Sequence, residues 1–239
     1  MLNASVLVDT SLCTGCRGCQ VACKDWNELP AESTSFEGTY ENPRGLTSIT
    51  WTRVVFNERP PDGPGAARLY LAKHQCMHCG DAVCVNMCPV GAAHRTPSGS
   101  VDIDQERCIG CGICETYCPF QAPKVDPVLG KSRKCRMCVD RLGAGLQPAC
   151  VQTCPSEALV FGERDQLVAE ARRRAERLRQ EGFPSARVYG ETQMGGLRAI
   201  YVLMGAPSLY GLPEKPTVKV SAYVVAELLR PFKALVAGS

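Results

Sequence analysis

Cys76-Met77-His78-Cys79-Gly80-Asp81-Ala82-Val83-Cys84-Val85-Asn86-Met87-Cys88-Pro89 and, after nineteen residues from Cys88, Cys108-Ile109-Gly110-Cys111-Gly112-Ile113-Cys114-Glu115-Thr116-Tyr117-Cys118-Pro119 are the stretches that decide the fold. The second has the spacing C-x2-C-x2-C-x3-C-P, and the first differs only by two added residues before its third cysteine. Three thiolates on one tight loop can cap three irons of a four-iron cubane, but that loop cannot curl back to the fourth iron. The fourth cysteine, three residues further on and followed by proline, is carried instead to a neighbouring cluster. The spacing therefore pairs Cys76, Cys79, Cys84 and Cys118 on one [4Fe–4S] cluster, and Cys108, Cys111, Cys114 and Cys88 on another.

Two further runs flank these: Cys13-x2-Cys16-x2-Cys19-x3-Cys23 before them, and Cys135-x2-Cys138-x11-Cys150-x3-Cys154-Pro155 after them. The sixteen cysteines thus divide into four sets of four with none left over. A disulfide framework has no use for the repeated spacing, and 239 residues is far above the size that needs stapling. Zinc sites use paired C-x2-C or Cys/His mixtures, for which a third cysteine at the next x2 is redundant. Since the inner runs serve each other, the outer two have only one another. By the same swap, Cys13, Cys16, Cys19 and Cys154 hold one cluster, while Cys135, Cys138, Cys150 and Cys23 hold another.

The expected fold class is α+β: two bacterial-type two-[4Fe–4S] ferredoxin domains, one inserted in the other, with a β-hairpin insertion and a C-terminal helix and strand extension. Residues 1–30 and 130–162 form the split outer domain on this reading, and 31–70 the hairpin insertion. Residues 71–129 form the inner domain, and 163–239 the extension with a docking tail.

Hydrophobic residues are 45% and charged residues 21% of the chain, a globular balance. A net charge of +3 is too small to point to nucleic acid. The basic run Lys131, Arg133, Lys134 and Arg136 around Cys135 would offset the negative charge of the clusters and tune their potentials, or else form a solvated basic face. The N-terminus reaches Cys13 without the basic and apolar pattern of a signal peptide. The compartment is left between cytoplasm and periplasm, with the periplasm preferred and the export signal placed on a partner.

Along the chain, 5–8 reads as a short strand. Within the cysteine-free segment between Cys23 and Cys76, 49–56 and 68–71 are β-rich and separated by the breaker Pro60-Pro61-Asp62-Gly63-Pro64-Gly65, which predicts a hairpin. Residues 82–90, 113–118 and 149–154 read as helical turns, each stopped at Cys-Pro, with strands at 99–103 and 159–161. Leu167, Val168, Ala171, Ala175 and Leu178 recur at helical spacing over 165–180, and Gly182 ends that helix. Residues 197–204 read as a strand and 205–216 as a loop. The tail, 218–237, is apolar on one side but carries Glu227, Arg230, Pro231 and Lys233. It falls short of an uncharged spanning segment, so the expectation is a docking helix and no transmembrane helix of its own.

His74, His78 and His94 lie near the ligand loops. With the cysteine tally complete, His78 is read as a neighbour of the cluster or as merely exposed. Met77 and Met137, inside C-x2-C loops, are read as packing against clusters. No Ser/His/Asp set, GxGxxG or P-loop is present, so no catalytic residue is expected on this chain.

Several stretches resemble the iron–sulfur β subunit of formate dehydrogenases, within the four-cluster subunits that serve molybdenum or tungsten bis-pterin oxidoreductases. They are Cys16-Arg17-Gly18-Cys19-Gln20-Val21-Ala22-Cys23-Lys24-Asp25-Trp26-Asn27, the Cys76 and Cys108 loops, Cys138-Val139-Asp140-Arg141, Pro148-Ala149-Cys150-Val151-Gln152-Thr153-Cys154-Pro155 and Leu209-Tyr210-Gly211-Leu212-Pro213. The resemblance implies a molybdenum or tungsten catalytic partner that oxidises formate or reduces carbon dioxide. Electrons would enter at the Cys13 cluster and leave from the inner domain, toward a further redox subunit or a membrane cytochrome. Members bound to a membrane continue into a transmembrane helix where residues 235–239 lie here. The competing readings are the same role for a sulfur-compound reductase or a hydrogenase, and a zinc-stabilised interaction module.

Iron and acid-labile sulfide counted on anaerobically purified protein should correspond to four clusters per chain. A count near two, or zinc in place of iron, would refute the division into four sets.

Overall fold

The computed structural model describes residues 3–60, 68–218, 224 and 227–229. The breaker at 60–65 (except Pro60) and almost all of the tail read as a docking helix lie outside the described residues. The first strand is β1 (Ala4–Asp9), buried at every position, followed by α1 (Gly18–Trp26). Strands β2 (Arg53–Arg59) and β3 (Arg68–His74) form an antiparallel ladder from Arg53 opposite His74 to Arg59 opposite Arg68. The strand expected from residue 49 begins only at Arg53. Residues 47–50 instead form a turn, with the Thr47 N–H on the Thr50 carbonyl at 3.1 Å and the Thr50 N–H on the Thr47 hydroxyl at 2.9 Å.

Next come α2 (Val83–Met87), the ladder β4 (Ala93–Arg95) and β5 (Val101–Ile103), α3 (Ile113–Tyr117), and the ladder β6 (Lys124–Asp126) and β7 (Lys131–Arg133). Helices α2 and α3 pack together, as do α1 and the short α5 (Ala149–Gln152), which follows α4 (Val139–Gly143). Each helix pair follows the cysteine loops that it separates, and this gives two ferredoxin-type units of mixed α and β content. The division drawn at 70/71 falls inside β3, and that at 129/130 falls in the turn of the β6–β7 ladder.

The C-terminal segment supplies β8 (Leu159–Glu163), α6 (Arg164–Gln180), β9 (Arg187–Tyr189) and β10 (Ala199–Leu203). These form one sheet in the order β8-β1-β10-β9, with β1 and β10 parallel. So residues 164–203 are no peripheral addition: β10 and α6 cover the first strand of the chain. The strand period of two divides the sheet's faces. Leu7, Ile200 and Val202 meet Leu167, Val168, Ala171, Ala175 and Leu178 of α6 on one side. On the other, Val6, Val8, Tyr201 and Leu203 share a core with Cys19 and Cys150.

One ion pair ties the helix to the strand end. Asp9, whose side chain is fully buried, lies 3.0 Å from Arg174 of α6. Its other carboxylate oxygen accepts from the Ser11 N–H at 3.0 Å and the Ser11 hydroxyl at 2.6 Å. Arg174→Met should leave a buried carboxylate without its cation and destabilise the sheet by about 3 kcal/mol. A lower denaturant midpoint with unchanged cluster content would show it, and Leu7 and α6 amides should exchange faster.

Candidate metal centres

The first C-x2-C turn of each of the four runs shares a backbone feature. The residue before the second cysteine is left-handed in each: Gly15 (φ 71°), His78 (φ 46°), Gly110 (φ 66°) and Met137 (φ 57°). A left-handed residue in a turn aims successive amides into the concavity, which suits anionic sulfur. Non-glycine residues hold this conformation only where their surroundings over-determine it. His78 is fully buried, and its Nδ1 accepts the Val101 N–H at 3.0 Å. The reading of His78 as exposed is therefore corrected: β5 packs over the ring. The two added residues of the first run also have a use. Gly80 and Asp81 donate their N–H groups to the carbonyls of Gly196 and Met194, both at 2.6 Å. A Cβ at Gly80 would collide with the Gly195 carbonyl.

The sixteen cysteines are all unpaired. Cys23, Cys135, Cys138 and Cys150 line one small pocket with Trp51, Met137 and Pro148. Cys88, Cys108, Cys111 and Cys114 line another, walled by Val90, Ile103 and Ile109. The Cys13 thiol lies within electrostatic reach of Cys154 and Cys16, and Cys79 within reach of Cys76, Cys118 and Cys84. Neighbouring groups lie within electrostatic reach of one another in a sequence: Cys19 of Cys150, Cys135 of Cys76, and Cys84 of Cys114.

Among the described residues, no three His, Cys, Asp or Glu side chains converge tightly enough to hold a single metal ion. Thiols set around small apolar cavities fit a cubane several ångströms across, whereas tetrahedral zinc needs them drawn to one point. Burial pushes the Cys19 and Cys84 thiols up to about 12, and Cys118 and Cys138 to about 11. Thiolates that costly need a bound cation, which is what a metal cluster supplies. Backbone N–H groups also point at sulfur: Ser132 at Cys108 (3.3 Å), Ala93 at Cys88 (3.4 Å) and Met137 at Cys135 (3.4 Å). Such bonds raise cluster potentials by favouring added negative charge.

Two 4Fe-4S dicluster domain models match the chain, at residues 67–164 and 12–92. The nitrate-inducible formate dehydrogenase iron-sulfur subunit of Escherichia coli is 39% identical over 95% of this chain and 78% of its own length. The formate dehydrogenase iron-sulfur subunit of Haemophilus influenzae is 37% identical over 97% and 75%. The chain belongs to the formate dehydrogenase iron–sulfur subunits. It is an electron-transfer subunit built on 4Fe-4S ferredoxin-type domains. The B subunit of the anaerobic dimethyl sulfoxide reductase of Escherichia coli is 38% identical over 67% of this chain and 73% of its own length.

In this iron–sulfur subunit, the segments that carry the resemblance touch one another. Trp26 donates its indole N–H to Asp140 at 2.7 Å, and Arg141 lies over the Trp26 ring at 4.3 Å. The His74 ring is 2.7 Å from the Tyr210 carbonyl, and Asn57 donates to the Leu209 carbonyl at 2.6 Å. His94 is exposed, with its Nδ1 3.0 Å from the Ala92 carbonyl. The basic run divides: Lys134 is buried, Lys131 and Arg133 are half-buried, and Arg136 is exposed. Lys131 donates to the Cys108 carbonyl at 2.6 Å, Arg136 grips Asp102 at 2.9 and 3.0 Å, and Lys134 is 2% exposed. Met77 and Met137 are both buried. Two contributors carry no sequence signal, because they come from the hairpin: Thr52, hydrogen-bonded to the Cys23 thiol, and Lys73. Their place depends on how β2 and β3 dock. Among the described residues no helix is long and apolar enough to cross a membrane.

Cys23→Ser should remove the cluster whose other ligands are Cys135, Cys138 and Cys150, and leave that of Cys13, Cys16 and Cys19. Low-temperature EPR of the reduced protein separates the two. Loss of the Cys13 signal instead would overturn the swap.

Proposed function

We propose that the subunit holds four [4Fe–4S] clusters. Cys13, Cys16, Cys19 and Cys154 form the first ligand set, and Cys76, Cys79, Cys84 and Cys118 the second. Cys108, Cys111, Cys114 and Cys88 form the third, and Cys135, Cys138, Cys150 and Cys23 the fourth. The first and fourth make a split outer domain around an inner one. Bound there, such clusters take up and pass single electrons. The protein's part is to space, shelter and bias them. The neighbour relations of the thiols give the order first, fourth, second, third.

One observation carries the choice of end points: of the sixteen cysteines, only Cys16 and Cys111 are exposed. They belong to the first and third sets, the two ends of that order, so electrons cross the protein surface there. Around Cys111 the surface is apolar. Ile109 is 62% exposed, and Val128 and Leu129, at 90% and 55%, sit in the turn beside Gly130, which abuts Gly110. That surface suits a docking electron acceptor. The catalytic partner, a molybdenum or tungsten subunit oxidising formate or reducing carbon dioxide, would face Cys16. Arg17 supports that face, since its guanidinium stacks 4.8 Å over Phe56 and leaves the loop rigid beside Cys16.

In the whole complex, Cys13→Ser should stop formate from reducing the other three clusters within the time of native turnover. Cys108→Ser should leave the first, fourth and second clusters reducible by formate while delivery to the downstream acceptor is lost. Rapid-freeze EPR after formate addition reads both. Unimpeded reduction in Cys13→Ser would reverse or abolish the proposed polarity.

A further inference from the structure

Lys73 is 1% exposed, and its ammonium has no hydrogen-bond partner among the described residues. A buried cation without an acceptor costs several kcal/mol unless an anion stands beside it. The position is not accidental. β3 pairs Lys73 with Val54 in the hairpin ladder, and the Tyr201 hydroxyl from β10 donates to the Lys73 carbonyl at 2.8 Å. The backbone is thus clamped from two sides while the side chain reaches inward.

The groups around its ammonium are thiols of two different sets. Cys150, Cys135 and Cys23 belong to the fourth, and Cys19 to the first. With clusters bound these sulfurs are thiolate ligands, the anions that a buried ammonium without a hydrogen-bond partner requires. Lys134 differs. It is also buried, but its ammonium donates to the carbonyls of Val101 and Cys135, so its own hydrogen bonds are met.

We infer that Lys73 is the buried counter-charge shared by the first and fourth clusters, and that it raises the reduction potential of both. The inference rests on the ligand sets proposed above. Adding an electron adds a negative charge, and a fixed cation at close range in a dry interior favours that state. Because the ammonium stands at the junction, it lifts the two centres together and keeps the step between them nearly level. A cation on one flank would raise only one, and the lower centre would then be a barrier. Lys73 acts through the clusters and takes no part in bond making, so it is a positioning residue for electron transfer.

The test is EPR-monitored redox titration of the intact complex with Lys73→Met, Lys73→Gln and Lys73→Arg. In the Met and Gln variants the one-electron reduction equilibrium of the fourth cluster should fall about tenfold or more, which is about 59 mV. The first cluster should fall in the same direction, and the third should move far less. Lys73→Arg, which keeps the charge, should stay near the native values. Unchanged potentials in loaded Met and Gln variants, or an equal shift in all four clusters, would overturn the inference. Loss of the fourth cluster from both variants would also overturn it, making Lys73 a residue of assembly. Fewer than four clusters in the unaltered complex would defeat the ligand sets themselves, a failure visible before any variant is compared.

Discussion

A tight loop can reach three corners of a cube and not the fourth. Most of the architecture follows from that limit. A fourth thiol must arrive from elsewhere, and on the proposed ligand sets each pair of cysteine loops supplies it to the other. Cys23 lies with Cys135, Cys138 and Cys150 although more than a hundred residues separate them in sequence. The pairing of α1 with α5, and of α2 with α3, is the same constraint expressed as helix packing. β1 leads into the Cys13 loop and the Cys150–Cys154 segment leads into β8, and the two strands pair antiparallel in one sheet.

Elements without cysteines close the centres. The hairpin β2–β3 supplies Thr52 to Cys23 and Lys73 to the space between two ligand sets. The loop at 193–196 binds the backbone of Gly80 and Asp81, and β5 covers His78. Sheet and helix α6 then seal the far side, so that Tyr201, fully buried, can hold Lys73 in place. Sheltering of this kind matters electrically. A charge that water would screen acts at nearly full strength where no water enters.

The relation to the B subunit of dimethyl sulfoxide reductase follows from the same physics. Ligand loops and their supporting amides serve any partner that delivers or accepts electrons one at a time, so they recur across such subunits. Trp26, Asp140 and Arg141, and the Leu209-Tyr210-Gly211-Leu212 segment, act by buttressing the loops rather than by touching a substrate.

The cysteine ladder, the proline stops and the amphipathic 165–180 helix were legible in the sequence, because each is a local spacing with a steric or periodic cause. A strand at 99–103 was legible and is β5, but its partner β4 and the ladder β6–β7 escaped notice, being three-residue strands with no periodicity to read. That β10 would lie parallel to β1 was equally hidden, since neither strand carries a local mark of its partner. The left-handed turns at His78 and Met137 have no glycine to announce them; tertiary contacts impose them. Lys73 reads in sequence as one more lysine on a half-polar strand. Its meaning comes from the docking of a hairpin on four distant thiols, for burial and charge proximity are properties of the assembled interior that no stretch of chain possesses alone.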